Sequence, residues 1–288
     1  MGNKKEDKKE IEEVKEHHFF RTLFFIIILI IALLIVYGRY IGTKLVFVNE
    51  YEIKNDKIPT SFDNFQIGHF SDILYNGKEE KEKFKKVCND LNDKKLDIVI
   101  FTGDLIKKNY NPSQKEIDFI TKELSSINTK YGKYYVTGDN DIKNNIYDSI
   151  MQNSGFISLN NSFDNIYSEK KENILLIGLS KDIDTQVLND IIKDNKANYK
   201  ILVFHESDSF DEIKNYNLDL VLSGNSLNGQ VNIPIIKTFF LNKNSMKYYE
   251  PYYKEKNTDF YISNGIGNEK INFRLFNNPS INIYVLKK

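Results

Sequence analysis

Tryptophan is absent from this 288-residue chain and cysteine occurs once. A single thiol allows no internal disulfide and no cysteine-ligated zinc site, so any bound metal must be held by oxygen and imidazole. Cys88 falls beside Phe84 and Leu91 at helical spacing, on an apolar face where it reads as a core thiol. Basic and acidic residues number 40 each, so the chain lacks the cationic excess of a nucleic-acid-binding domain. Histidine is scarce, with four in all. There is no internal repeat, no Gly/Ser linker and no second composition regime, which leaves one globular unit behind one N-terminal boundary.

Charge is also missing between Arg21 and Arg39, and Leu23 to Val36 is almost wholly Ile, Leu, Phe, Val and Ala. That length is close to the roughly 17–25 residues that cross a bilayer, and Arg21, Tyr37, Arg39 and Tyr40 suit its interfaces. A cleaved signal peptide would end on small residues, whereas Tyr37-Gly38-Arg39-Tyr40 follows; a core helix would show a polar face. Residues 22–40 are therefore expected to be a retained transmembrane helix. Residues 1–21 form a charged tail, with Lys4 to Glu16 too polar to bury and His17 and His18 at the membrane surface. Lys4, Lys5, Lys8, Lys9, Lys15 and Arg21 stand against Arg39 and Lys44 beyond the apolar run. This bias predicts a single-pass protein of the cell membrane, with the tail cytoplasmic and a domain at 45–288 outside.

From Leu45 onward, short β-rich runs alternate with amphipathic stretches, a pattern that predicts an α/β fold. Strands are expected at Phe65–Ser71, Leu96–Thr102, Lys133–Thr137, Asn173–Gly178, Lys200–Phe204 and Leu218–Leu222, with the last sixty residues β-rich. Helices are expected at Glu79–Leu91, Gln114–Ser126, Ile142–Ser154 and Asp184–Asp194. Polar groups fall at the strand ends, where α/β sheets bind ligands. Asp72, Gly103-Asp104, Gly138-Asp139-Asn140-Asp141, His205 and Gly224-Asn225 each follow a strand. Singly these are ordinary turn and cap chemistry, but five ends at one edge form a candidate site. His69 lies three residues before Asp72, so strand alternation turns it to the opposite face, as a structural histidine. The Tyr248-Tyr249 and Tyr252-Tyr253 cluster is read as covering a sheet edge.

The order and spacing of these pieces resemble the calcineurin-like metallophosphoesterases, in their bacterial membrane-anchored branch. The resemblance runs from Tyr37 to the C-terminus, through His69-Phe70-Ser71-Asp72, Thr102-Gly103-Asp104-Leu105, Leu222-Ser223-Gly224, Ser263-Asn264-Gly265-Ile266-Gly267 and Phe273-Arg274-Leu275-Phe276. It implies a four-layer α/β/β/α sandwich and two metals that clamp a phosphate and activate water. By position Asp104 matches the bridging ligand. The first metal would take Asp72 and two histidines, but Leu74 and Leu227 stand at those two places and carry no lone pair. The second would take Asp104, Asp139, His205 and Asn225, with Asn140 as the alternative to Asp139. Three oxygen donors and one imidazole suit one hard ion, Mg²⁺ or Mn²⁺ rather than Zn²⁺, if a metal is held at all.

The histidine that serves the leaving oxygen in the family is Asn140 here, and an amide is no general acid. Asp141 matches the carboxylate that orients that histidine, and is expected to lack its partner. Three readings of function stay open. In the first, a phosphoester- or phosphate-binding or regulatory protein has lost most hydrolysis; in the second, an active phosphoesterase works with one hard metal; in the third, the domain is a module without ligand.

Overall fold

The computed structural model describes residues 3–77, 80–142 and 144–288, with the side chains of 3–14, 236 and 238 outside that description. The near-continuous apolar strands of the sequence are buried on both faces, as strands of covered parallel sheets should be. One six-stranded sheet runs in the order β1 (Phe47–Lys54), β12 (Ser280–Lys287), β2 (Gln66–Phe70), β3 (Ile98–Phe101), β4 (Gly132–Tyr135), β5 (Phe156–Ser158). The other runs β10 (Tyr252–Glu255), β11 (Thr258–Ile262), β9 (Leu220–Gly224), β8 (Tyr199–Glu206), β7 (Asn173–Gly178), β6 (Ser162–Tyr167). β2 to β5 are mutually parallel, as are β7, β8, β9 and β11.

Alternation along each strand sorts its side chains between layers. Ile98, Ile100, Ile201, Val203, Leu220 and Leu222 meet between the two sheets. Val99 and Phe101 face α2 (Lys81–Asn92), α3 (Gln114–Ser125) and α4 (Tyr147–Asn153), while Leu202, Phe204 and Val221 face α5 (Thr185–Asp194) and α6 (Phe210–Ile213). The result is the four-layer α/β/β/α sandwich expected above. Helix starts follow local chemistry: Ser113 and Glu116 close a capping box on α3, and the Asp184 side chain caps α5. Cys88 is buried among Phe84 and Leu91, as its spacing indicated.

The apolar segment is helical and exposed, long and apolar enough to cross a membrane. It differs from expectation in extent: α1 runs from Asn3 to Val36 and so includes most of the charged tail, of which Met1 and Gly2 lie outside the described residues. Lys and Glu are strong helix formers, and extending an existing helix costs far less than nucleating one. A π-helical turn, Tyr37–Ile41, ends the segment. β1, β5 and β6 were not picked out from the sequence; they are short or half-exposed edge-side strands with weak apolar signatures.

Candidate metal centre

The parallel strands of both sheets end at one edge, and the residues just past those ends turn into it. Asp72, Asp104 and Asn225 have φ of 52°, 61° and 63°, a left-handed conformation that Asp and Asn tolerate. Leu74 and Leu227 have φ of 50° and 48°, where a leucine lacks that tolerance. The two leucines thus share the left-handed backbone of the neighbouring polar residues. Both leucines are buried, and they press on Gly267 and Gly265 so closely that neither glycine has room for a Cβ.

One carboxylate oxygen each from Asp72 and Asp104 and one ring nitrogen of His205 lie within 4.8 Å of one another, all buried. The His205 ring is held from behind, with Nδ1 donating to the Thr102 carbonyl at 2.5 Å, so Nε2 faces Asp104 Oδ2 at 3.5 Å. Asp72 Oδ2 accepts from the Asn225 backbone N–H at 3.0 Å. His205 Nε2 and Asp72 Oδ1 are buried without a hydrogen-bond partner, an arrangement that costs free energy unless something binds there. Burial pushes the Asp72 carboxyl up to about 6, with Asp104 adding to the rise and His205 opposing it. Burial also opposes charge on His205, but the Asp104 and then the Asp72 carboxylates outweigh it and raise the imidazole to about 10. Two carboxylates around an imidazole proton form a cavity for positive charge, and one divalent cation fits this donor set.

Asp139 and Asn140 have different partners. Asn140 faces inward, donating its backbone N–H to Asp104 Oδ1 at 2.8 Å and its side-chain amide to Oδ2 at 2.7 Å. Asp139 faces Lys181, whose ammonium also reaches Glu206 Oε1 at 3.2 Å, and so stands outside the donor cluster. Lys181 supplies the Asp139 counter-charge, and Asp139 and Asn140 both line the same cleft. Asn225 lines the cleft, but its side-chain N–H groups go to Lys243 O and Ser245 Oγ, leaving Oδ1 for a ligand.

Asp141 is not left without partners. Its carboxylate accepts from the backbone N–H groups of Asp104 at 2.6 Å, Leu105 at 3.1 Å and Gly138 at 2.9 Å, and so ties two strand-end turns together. Gly138 has no room for a Cβ because Asp104 lies against it. His69 is buried between Thr102 Oγ1 at 2.9 Å and Tyr284 OH at 3.3 Å, remote from the donor cluster by face, as alternation indicated.

Sequence reasoning missed Lys181 and Glu206, and gave the fully buried Arg274 only as part of a family motif, without a role. Lys181 lies just past β7 and Glu206 beside His205, so the strand-end rule contained both. The Arg274 guanidinium donates to the carbonyls of Asn264, Gly265 and Gly267, and Gly267 N–H in turn donates to Asp72 O at 2.7 Å. Burial lowers its pKa to about 9, with Asp72 and Glu80 opposing. The site opens into a cleft of about 1110 Å³ whose walls include Lys107, Lys108, Lys181, Lys243 and Lys270, a lining suited to anionic groups.

The sequence profile of the calcineurin-like phosphoesterases matches residues 65–227. An uncharacterized metallophosphoesterase of Bacillus subtilis, YkuE, is 27% identical over 267 residues, which is 87% of this chain and 89% of the relative. A Danio rerio transmembrane protein with a metallophosphoesterase domain is 23% identical over 271 residues, 88% of this chain and 60% of the relative. Among solved structures, the NAD nucleotidase of Haemophilus influenzae shares 17% identity at a TM-score of 0.47, over 70% of this chain and 45% of that one.

Proposed function

Because the chain belongs to the calcineurin-like phosphoesterase family, we propose that it is a membrane-anchored, extracytoplasmic member that holds one divalent cation and a phosphate group and hydrolyses phosphoesters slowly or not at all. The observation that carries this reading is the buried Asp72–Asp104–His205 cluster with two unpartnered donor atoms. Asn225 Oδ1 and the Asn140 side chain flank it. A divalent ion bound there would polarise a phosphoryl oxygen and acidify a water. The chain's own contributions are narrower. Asn140 steadies Asp104, Asp141 and Arg274 hold the turns, and the lysines of the cleft attract anionic groups. No imidazole stands at the Asn140 position to pass a proton, a loss worth about 10²–10⁴-fold in rate. Hydrocarbon fills the other metal position.

The domain boundaries at 1–21, 22–40 and 45–288, with the tail cytoplasmic, rest on the apolar helix and the Lys and Arg count. The Danio rerio relative, described as a transmembrane protein, supports an anchored reading. A second reading, a working one-metal hydrolase, is favoured by Lys181, an ammonium at the cleft paired with Asp139 and Glu206. The full chain in lipid nanodiscs separates them by metal content and turnover of a bis-aryl phosphodiester with Mg²⁺ or Mn²⁺. One metal per chain, lost in Asp104→Asn, with turnover near background supports the first reading. Saturable, metal-dependent turnover overturns it in favour of the second, and absence of metal sinks both.

A further inference from the structure

The membrane anchor does not end in a free linker. Its π-helical turn is fastened to the domain: Arg274 N–H donates to Gly38 O at 3.0 Å, Gly38 lies against the Phe273 ring, and Gly42 lies against the Arg274 carbonyl. Neither glycine has room for a Cβ, so backbone and domain touch directly where the helix leaves the apolar segment. The point at which this chain emerges from lipid is therefore fixed on the domain surface near residues 273–274.

From that point backbone pairing leads to a second segment that carries exposed aromatics. Leu275 bridges to Val231, and Asn232 N–H donates to Leu275 O at 2.8 Å, which brings the segment 231–241 alongside. This segment reads Val-Asn-Ile-Pro-Ile-Ile-Lys-Thr-Phe-Phe-Leu, and Phe239 is 75% exposed. Phe276, next to the bridge, is 60% exposed, as is Tyr40 on the anchor's last turn, where the Arg39 guanidinium lies over its ring. Lys270 Nζ donates to the carbonyls of Phe239 and Leu241, placing an ammonium at the base of the loop. Large aromatics presented to solvent beside lysines, at the exit of a membrane helix, match the composition of an interfacial contact.

We infer that the face presenting Phe239, Phe276 and Tyr40 docks on the same bilayer that holds the anchor. The occupant is lipid because backbone hydrogen bonds tie the last turn of an exposed helix, long and apolar enough to cross a membrane, to Arg274, and tie Leu275 to the segment that carries Phe239. Asn242, Lys243 and Lys270 belong both to the base of this loop and to the cleft wall. Docking accordingly brings the mouth of the cleft to the level of the phospholipid headgroups.

The chain's lack of tryptophan makes the test direct. Full-length Phe239→Trp and Phe276→Trp, each with a single indole, are reconstituted in nanodiscs with and without acyl-chain-brominated lipid. Tyr167→Trp, on the edge strand β6 and also exposed, serves as the reference. Aromatic side chains seated at the boundary of headgroup and acyl chain should lose about half or more of their emission to bromine, while the reference keeps its own. Quenching at both loop positions with one protein per disc supports the docked face. Quenching no greater than at the reference overturns it, as does protection that depends on protein concentration, which would indicate a second copy. The readout uses neither metal nor turnover, so its result stands apart from that of the proposed function.

Discussion

His205 Nε2 stands 3.5 Å from Asp104 Oδ2 in a buried setting, while its Nδ1 is engaged by the Thr102 carbonyl. The backbone contact fixes which nitrogen faces the carboxylates, and the carboxylates fix a proton on it. That proton occupies the position a cation would take, so metal and proton compete for one place.

This competition has a sign. With its pKa raised to about 10, His205 is an imidazolium throughout the neutral range and must lose a proton to ligate. Affinity for Mn²⁺ should therefore rise about tenfold per pH unit between roughly pH 6.5 and 9. Below about 6 the raised carboxyl of Asp72 also takes up a proton, and the dependence should steepen. Calorimetry of the full chain in buffers of different ionisation enthalpy counts the protons released. His205→Ala should bind more weakly and lose this slope, and an unchanged slope would place the titrating group elsewhere.

Leu74 and Leu227 are buried on left-handed backbone, at the two positions where the family resemblance implies histidines. Leu74→His with Leu227→His should raise metal content from one to two ions per chain, measured by elemental analysis after dialysis. Without metal, the double variant should be less stable than the parent by about 2–5 kcal/mol, because two imidazoles replace well-packed leucines. With metal, much of that deficit should return. A content still at one ion would show that the loops around Gly265 and Gly267 have closed the position.

The strand-end rule led from sequence to Asp72, Asp104, His205 and Asn225 because those residues follow long apolar runs, and a buried parallel strand announces its own end. It left the choice within Gly138-Asp139-Asn140-Asp141 open. Four polar residues in one turn all satisfy the rule, and which one faces inward depends on Lys181 and on backbone N–H groups some 36 residues away in sequence. Arg274 was visible only through a family pattern, since its partners are carbonyls, which every residue carries. Helix α1 exceeded its expected length for a local reason: a charged Lys- and Glu-rich tail can still propagate a helix begun by its neighbour.

Asp141 gives a graded test of the turn architecture. Asp141→Asn keeps one acceptor oxygen for Asp104 and Gly138 N–H but presents an amide to Leu105 N–H, and should cost about 1–2 kcal/mol. Asp141→Ala strands three buried donors and should cost about 3 kcal/mol or more. Urea unfolding of the full chain in detergent measures both. Equal stability of the two variants would mean that the carboxylate does not hold the turns.

His69 provides the clearest pH dependence of stability. Burial between the sheets lowers its pKa from 6.5 to about 3, so the folded protein keeps it neutral while the unfolded chain protonates it below 6.5. The unfolded state therefore binds the extra proton, and stability present above pH 6.5 is lost as pH falls toward 3, at about 1.4 kcal/mol per unit. Asp72 acts in the opposite sense, since a carboxyl raised to about 6 favours folding as pH falls from 6 toward its ordinary value. The two slopes partly cancel in the parent protein, and removing the histidine separates them. His69→Gln retains a donor and an acceptor for Thr102 and Tyr284 but cannot titrate. Between pH 6.5 and 4.5 its stability should change less steeply with acidification than the parent's, or rise. A variant curve parallel to the parent's would show that the acid sensitivity arises from other groups.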